Sequence, residues 1–96
     1  MDTKYFNTAY NAVLKKDLPS QPYGNTTFKT GEKITLVIWK PKDKTEPTIQ
    51  FVGGMYKWGE ISVEEAEEHI ICTSKASTSP DEVHNSYIRA YNRSMY

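Results

Sequence analysis

The sequence predicts an α+β domain: a small antiparallel β-meander of three to four strands, with an N-terminal and a C-terminal α-helix packed on it. Three observations carry this reading. Apolar residues recur at helical spacing near both ends of the chain. Between them runs Lys33 to Trp39, KITLVIW, dense in β-branched residues and closed by a Trp. A Gly53-Gly54 pair is flanked by two strand-like segments. With 96 residues, the chain is one domain's worth of material, spanning 1–96.

Residues 3–17 read as the first helix. Asp2 or Thr3 caps its start, and Phe6, Ala9, Tyr10, Val13 and Leu14 form one apolar stripe. Lys15 and Lys16 suit the negative end of its dipole, and Pro19 and Pro22 end it. A loop follows, with Thr26 to Lys29 a weak strand and Thr30-Gly31 a turn. Lys33 to Trp39 is the strongest strand. Both of its faces are apolar, so it is expected to be covered on both sides.

Pro41 to Glu46 is a polar connection to a strand over Thr48 to Val52. Gly53-Gly54 then supplies the backbone freedom of a tight type I′ hairpin turn, with a return strand over Met55 to Ile61. Ser62-Val63-Glu64-Glu65 is a capping box, so a short acidic helix follows to about His69. Ile70 to Thr73 is a short strand or a packed connector. Ser79-Pro80-Asp81-Glu82 is a second capping box with Pro at the first helical position. The last helix runs from there to about Ser94, with Val83, Tyr87, Ile88, Tyr91 and Met95 as its apolar stripe.

The formal net charge is zero, which argues against a uniformly acidic nucleic-acid mimic and against a uniformly basic histone-like protein. The charge is nonetheless segregated. Residues 1–44 carry eight Lys and four acidic residues; residues 45–70 carry six Glu and one Lys. No apolar run approaches the ~18 residues of a membrane helix, so no membrane partner is expected. Cys72 is the single cysteine and reads as a small buried apolar residue. With no internal disulfide and no secretory pattern at the N-terminus, a reducing, cytoplasmic setting is expected.

Catalytic signatures are missing. There is no nucleophile elbow, no phosphate-binding glycine loop, and no CxxC or HxxxH ligand spacing. The expectation is therefore no enzyme, no cofactor and no metal. What remains is binding, and the residue usage suits a small regulatory protein, an inhibitor or adaptor of the kind found among phage and mobile-element accessory proteins.

Seven Tyr and two Trp exceed what a small core hides, and these residue types anchor protein interfaces. The expected protein-binding residues are Tyr56 and Trp58 on the hairpin, Glu64, Glu65 and Glu68 on the acidic helix, and Arg89 and Arg93 on the last helix. The alternative is a single-stranded nucleic-acid surface on the sheet, built from Trp39, Lys40, Lys42, Lys44 and Lys57 beside the hairpin aromatics. Self-association, as a homodimer pairing the basic and acidic segments of two copies, is a further expectation.

Overall fold

The computed structural model describes residues 9–20, 23–40, 45–53 and 57–94. Five strands form one antiparallel sheet: β1 (Ala9–Leu14), β2 (Lys33–Trp39), β3 (Thr48–Val52), β4 (Trp58–Ser62) and β5 (Ile70–Lys75). Helix α1 (Val63–His69) lies between β4 and β5, and α2 (Pro80–Ser94) closes the described chain. The spatial order is β4-β3-β2-β1-β5. Strands β1 to β4 thus make a meander. Helix α1 then carries the chain from one edge of the sheet to the other, where β5 pairs with β1.

The helix expected over 3–17 is not found in its described part, residues 9–17. Residues 9–14 are strand β1, inserted between β2 and β5, and residues 1–8 lie outside the described residues. The reason is visible in the register. Tyr10, Ala12 and Leu14 alternate onto one face and stand in line with Leu36 and Ile34 of β2. The stretch satisfies a period of two as well as the helical one, and backbone pairing on both sides decides between them.

The β3–β4 hairpin exists, but its connection is not a two-residue turn. Val52 pairs with Trp58, and the Gly53 N–H donates to the Lys57 carbonyl at 2.9 Å. The Gly-Gly pair therefore opens a longer loop, and among the described residues only Gly31 has a positive φ. Gly54, Met55 and Tyr56 lie outside the described residues.

Both serine caps are present as expected. Glu65 N–H donates to Ser62 Oγ at 3.1 Å, and Glu82 N–H donates to Ser79 Oγ at 3.3 Å.

Each face of the sheet has its own cover. On one face, Leu14, Ile34, Leu36, Ile49, Phe51 and Ile61 meet Leu18 and Phe28 of the long β1–β2 connection, with Ala66 of α1. Phe28 and Phe51 pack edge to face with ring centroids 4.9 Å apart. Gly59 sits opposite Phe51 on β4, and a Cβ there would come within 2.3 Å of the Phe51 ring. On the other face, Val37 and Ala9 meet Val83 of α2, with Tyr87 and Ala90 also buried along that helix.

The β1–β2 connection is held down by two carboxylates. Asp17 Oδ1 accepts from the Thr30 N–H and from the Thr30 hydroxyl, each at 2.7 Å. These two bonds hold the Asp17 carboxyl below its ordinary range. Burial pushes Glu32 up, but its bond from Lys57, the Lys29 N–H and the Lys57 charge outweigh this and leave it lowered.

A lowered folded-state value means that the ionised form stabilises the fold. That contribution is complete above the ordinary carboxylate value and is lost as pH falls through the depressed one. Thermal melts of Asp17→Asn and of the parent chain should accordingly differ at neutral pH and converge in acid. Equal melts at every pH would show that the Asp17–Thr30 bonds contribute nothing.

Candidate functional site: a cationic groove beside the last helix

Helix α2 packs mainly on β3, with β2 and β4 on either side, and beyond its contact with Ala9 it leaves the β1–β5 half of its face of the sheet open. The result is an open groove of about 900 Å³. Its floor is a row of side chains in register across four strands: Ser74 of β5, Asn11 of β1, Thr35 of β2 and Val52 of β3. Val13 and Lys33, themselves a cross-strand pair, extend the floor. The wall is one edge of α2, with Ser86, Arg89 and Arg93 at spacings of three and four.

A β-bulge shapes the rim. Asn11 pairs with Ser74 and Ala12 with Cys72, so Thr73 is an extra residue on β5. Bulges re-aim side chains, and here Thr73 and Ser74 both line the groove. Thr73 Oγ1 donates to the Asn11 carbonyl, and Asn11 Nδ2 donates to Ser74 Oγ, each at 3.1 Å. Arg89 Nη2 donates to Ser86 Oγ at 3.2 Å. Among the described residues that line the groove, three are cationic and none is a carboxylate.

Arg89 and Arg93 are thus brought together, with Lys33 across from them. The other expected site residues go elsewhere. Trp58 packs under α2, with Tyr87 at 5.7 Å and Tyr91 at 4.9 Å between ring centroids. Burial, with Glu60 and Tyr91 adding to it, pushes the Tyr87 hydroxyl up to about 12, so it stays protonated. Tyr56 lies outside the described residues.

Glu64 and Glu68 are exposed on α1 and are not among the residues that line the groove. Glu65 is half-buried against Tyr23. Burial, then the Glu65 carboxylate, raise the Tyr23 hydroxyl above its ordinary value. Glu65, Glu68 and His69 place their ligand atoms within 4.8 Å of one another. Three donors on a single helical turn fall short of the four a structural zinc site uses, and His69 Nδ1 already meets the Glu65 carbonyl at 2.9 Å.

The sheet aromatics do not form an open stacking platform. Trp39 is half-buried and stacks on His84 of α2, with centroids 4.3 Å apart and the planes 13° from parallel. Lys57 is engaged by Glu32 and lies over the Phe28 ring. Lys40 is half-buried, and Lys42 and Lys44 lie outside the described residues. Cys72, expected to be buried, is exposed on the edge strand, and desolvation nevertheless raises its thiol above the ordinary value. That is the direction of an unreactive thiol.

Under α2 a polar chain links helix to sheet. His84 Nδ1 lies 2.6 Å from Gln50 Oε1, Gln50 Nε2 donates to Glu60 Oε2 at 3.4 Å, and Thr48 Oγ1 donates to the same oxygen at 2.7 Å. Gln50 is the buried polar residue of this interface, 5% exposed. Replacing His84 by Ala strands its amide oxygen and removes the ring stacked on Trp39. The expected cost is about 1–3 kcal/mol of stability, read from the urea midpoint, with a shift in Trp emission. An unchanged midpoint would mean that the His84–Gln50 bond is not formed in solution.

Of the groove lining, sequence reasoning named only Arg89 and Arg93; Lys33, Asn11, Thr73, Ser74 and Ser86 are among the residues it missed. The period-two alternation of 9–14 was the signal available for Asn11; the pairing of β5 at the sheet edge could not be read from the sequence.

The fold and the site define a class: an α+β domain whose single antiparallel sheet is covered on both faces and carries a cationic groove beside its last helix. Comparison with protein-family models, with curated proteins and with solved structures finds no match. No helix among the described residues is long and apolar enough to cross a membrane.

Proposed function

We propose that this chain is a non-catalytic binding protein, a protein–protein modulator that holds an acidic segment of its partner in the groove between α2 and the β1–β5 half of the sheet. The observation that carries this is the lining itself: among the described residues it holds Lys33, Arg89 and Arg93 and no carboxylate, in a chain whose acidic and basic residues are equal in number. Clustered charge of one sign steers an oppositely charged partner and fixes its orientation. Exposed Ile71, 49% accessible, stands beside Val13 at the end of the groove and gives an apolar contact next to the ionic ones.

The single-stranded nucleic-acid reading has less support. Base recognition without sequence preference relies on aromatic stacking surfaces, and Trp39 and Trp58 are packed against α2.

The test is capture from a lysate by the tagged full chain, with and without nuclease. A stoichiometric protein that survives nuclease, and is released by a poly-Glu peptide but not by a neutral one, is the expected result. Loss of all protein partners after nuclease, with nucleic acid co-purifying, would overturn the proposal in favour of the nucleic-acid reading.

A further inference from the structure

We infer that β5 is a dimer edge: its outer side pairs with β5 of a second copy of this chain, antiparallel about a twofold axis through Cys72, and joins the two sheets into one. This goes beyond the groove reading and does not depend on what the groove holds.

The two edges of the sheet differ. Residues 23–25 lie along the β4 edge: the Glu60 N–H donates to the Tyr23 carbonyl at 2.7 Å, the Asn25 N–H donates to the Trp58 carbonyl at 3.3 Å, and Gly24 bridges Gly59. At the other edge, among the described residues, β1 is the only strand partner of β5, and Ile71 to Lys75 are all exposed. An open row of backbone donors and acceptors is a template for another strand.

The ladder fixes which groups face outward. The Lys15 N–H donates to the His69 carbonyl at 2.8 Å, and the Ala76 N–H donates to the Ala9 carbonyl at 2.9 Å, one at each end of the β1–β5 pairing. Bonded and non-bonded pairs alternate in an antiparallel ladder. Ile71 and Ser74 therefore bond to β1, and Ile70, Cys72 and Lys75 turn their N–H and C=O groups outward. The bulge makes the third of these possible, since without the extra residue Lys75 would face β1. The outward set is symmetric about Cys72. An antiparallel second copy sets Cys72 opposite Cys72 and Ile70 opposite Lys75, so each outward group meets another.

Charge selects this occupant and this orientation. Lys75 pairs with Tyr10 on the face of the sheet that α1 covers. A twofold axis perpendicular to the sheet keeps that face on the same side in both copies. Each Lys75 then arrives beside the other copy's Ile70, next to Glu67 and Glu68, which are exposed in the last turn of α1. Symmetry makes the contact twice, whereas a parallel pairing would set the two Lys75 side by side. On the groove face the two Ile71 side chains, each 49% exposed in the single chain, become diagonal neighbours across the axis. With the β4 edges already covered, the pair closes on itself and stops at two copies.

The experiment is sedimentation velocity of the full chain over a roughly hundredfold range of concentration, at low and at high salt. The expected result is a reversible monomer–dimer equilibrium with nothing larger, weakened by salt. Lys75→Glu should weaken the dimer by at least about tenfold, Glu67→Lys/Glu68→Lys should do the same, and the triple variant should restore it. A short bismaleimide should couple Cys72 to Cys72 in the parent chain wherever the dimer forms.

A monomer at every concentration would overturn the inference, and so would growth beyond a dimer. A dimer that tolerates Lys75→Glu and is not coupled through Cys72 would place the contact elsewhere and overturn it as well. None of these outcomes touches the groove reading, which capture from the lysate decides separately.

Discussion

Replacing Phe51 by Ala is expected to cost about 3–5 kcal/mol of stability, the largest loss of any single truncation in this chain. Phe51 is fully buried on the central part of the sheet. Its ring fills the space that Gly59 leaves on the neighbouring strand and meets Phe28 edge to face. Truncation therefore leaves a void bounded by two strands and by the β1–β2 connection, none of which can collapse without breaking backbone pairing. A domain of this size holds roughly 5–15 kcal/mol in all, so the variant should sit near the edge of unfolding at room temperature. Phe51→Leu keeps most of the volume and should lose much less. Urea unfolding of the two variants checks this. A loss below about 1 kcal/mol for Phe51→Ala would place the ring outside a tightly packed core.

The same residues show how far the sequence could be read. Lys33–Trp39 announces a strand covered on both faces, and it is one: Leu36 packs under Phe51's side of the sheet while Val37 meets α2. The two serine caps are equally legible, because the Ser-x-x-Glu spacing fixes a local bond that needs nothing from the rest of the chain. Strand β1 is different. Its apolar residues satisfy two periods at once, and only the neighbouring strands, distant in sequence, choose between them. Misreading it as a helix removes half the floor of the groove, so Asn11 and Val13 cannot be placed beside Thr35 and Lys33.

The turn at Gly53 fails for a related reason. A Gly-Gly pair permits a tight turn but does not impose one, and the pairing of Val52 with Trp58 follows from which side chains each face must bury. Arg89 and Arg93 were legible as a basic helix edge. Their meeting with Lys33 was not, since contiguous charge blocks assign them to different parts of the chain. Trp39 and Trp58 illustrate the converse. Their composition suggests a surface, but the arrival of α2 turns them into the helix–sheet contact.

The groove, and not the acidic helix, is the surface proposed to bind the partner. Arg89 and Arg93 are exposed, so reversing both charges should leave the fold intact, with a loss of about 1 kcal/mol at Arg93, which lies in the last turn of α2. Breaking a close charge pair across an interface costs about 2 kcal/mol or more, and two reversals should weaken partner binding on the order of a hundredfold or beyond. Glu64 and Glu68 on α1 provide the matched control, because they are exposed as well and their reversal alters net charge by the same amount in the opposite direction.

The decisive measurement is therefore partner capture by Arg89→Glu/Arg93→Glu beside capture by Glu64→Lys/Glu68→Lys, each folded by circular dichroism. The expected result is loss of the partner in the first and retention in the second. Retention in the first with loss in the second would contradict the account and place the interface on α1.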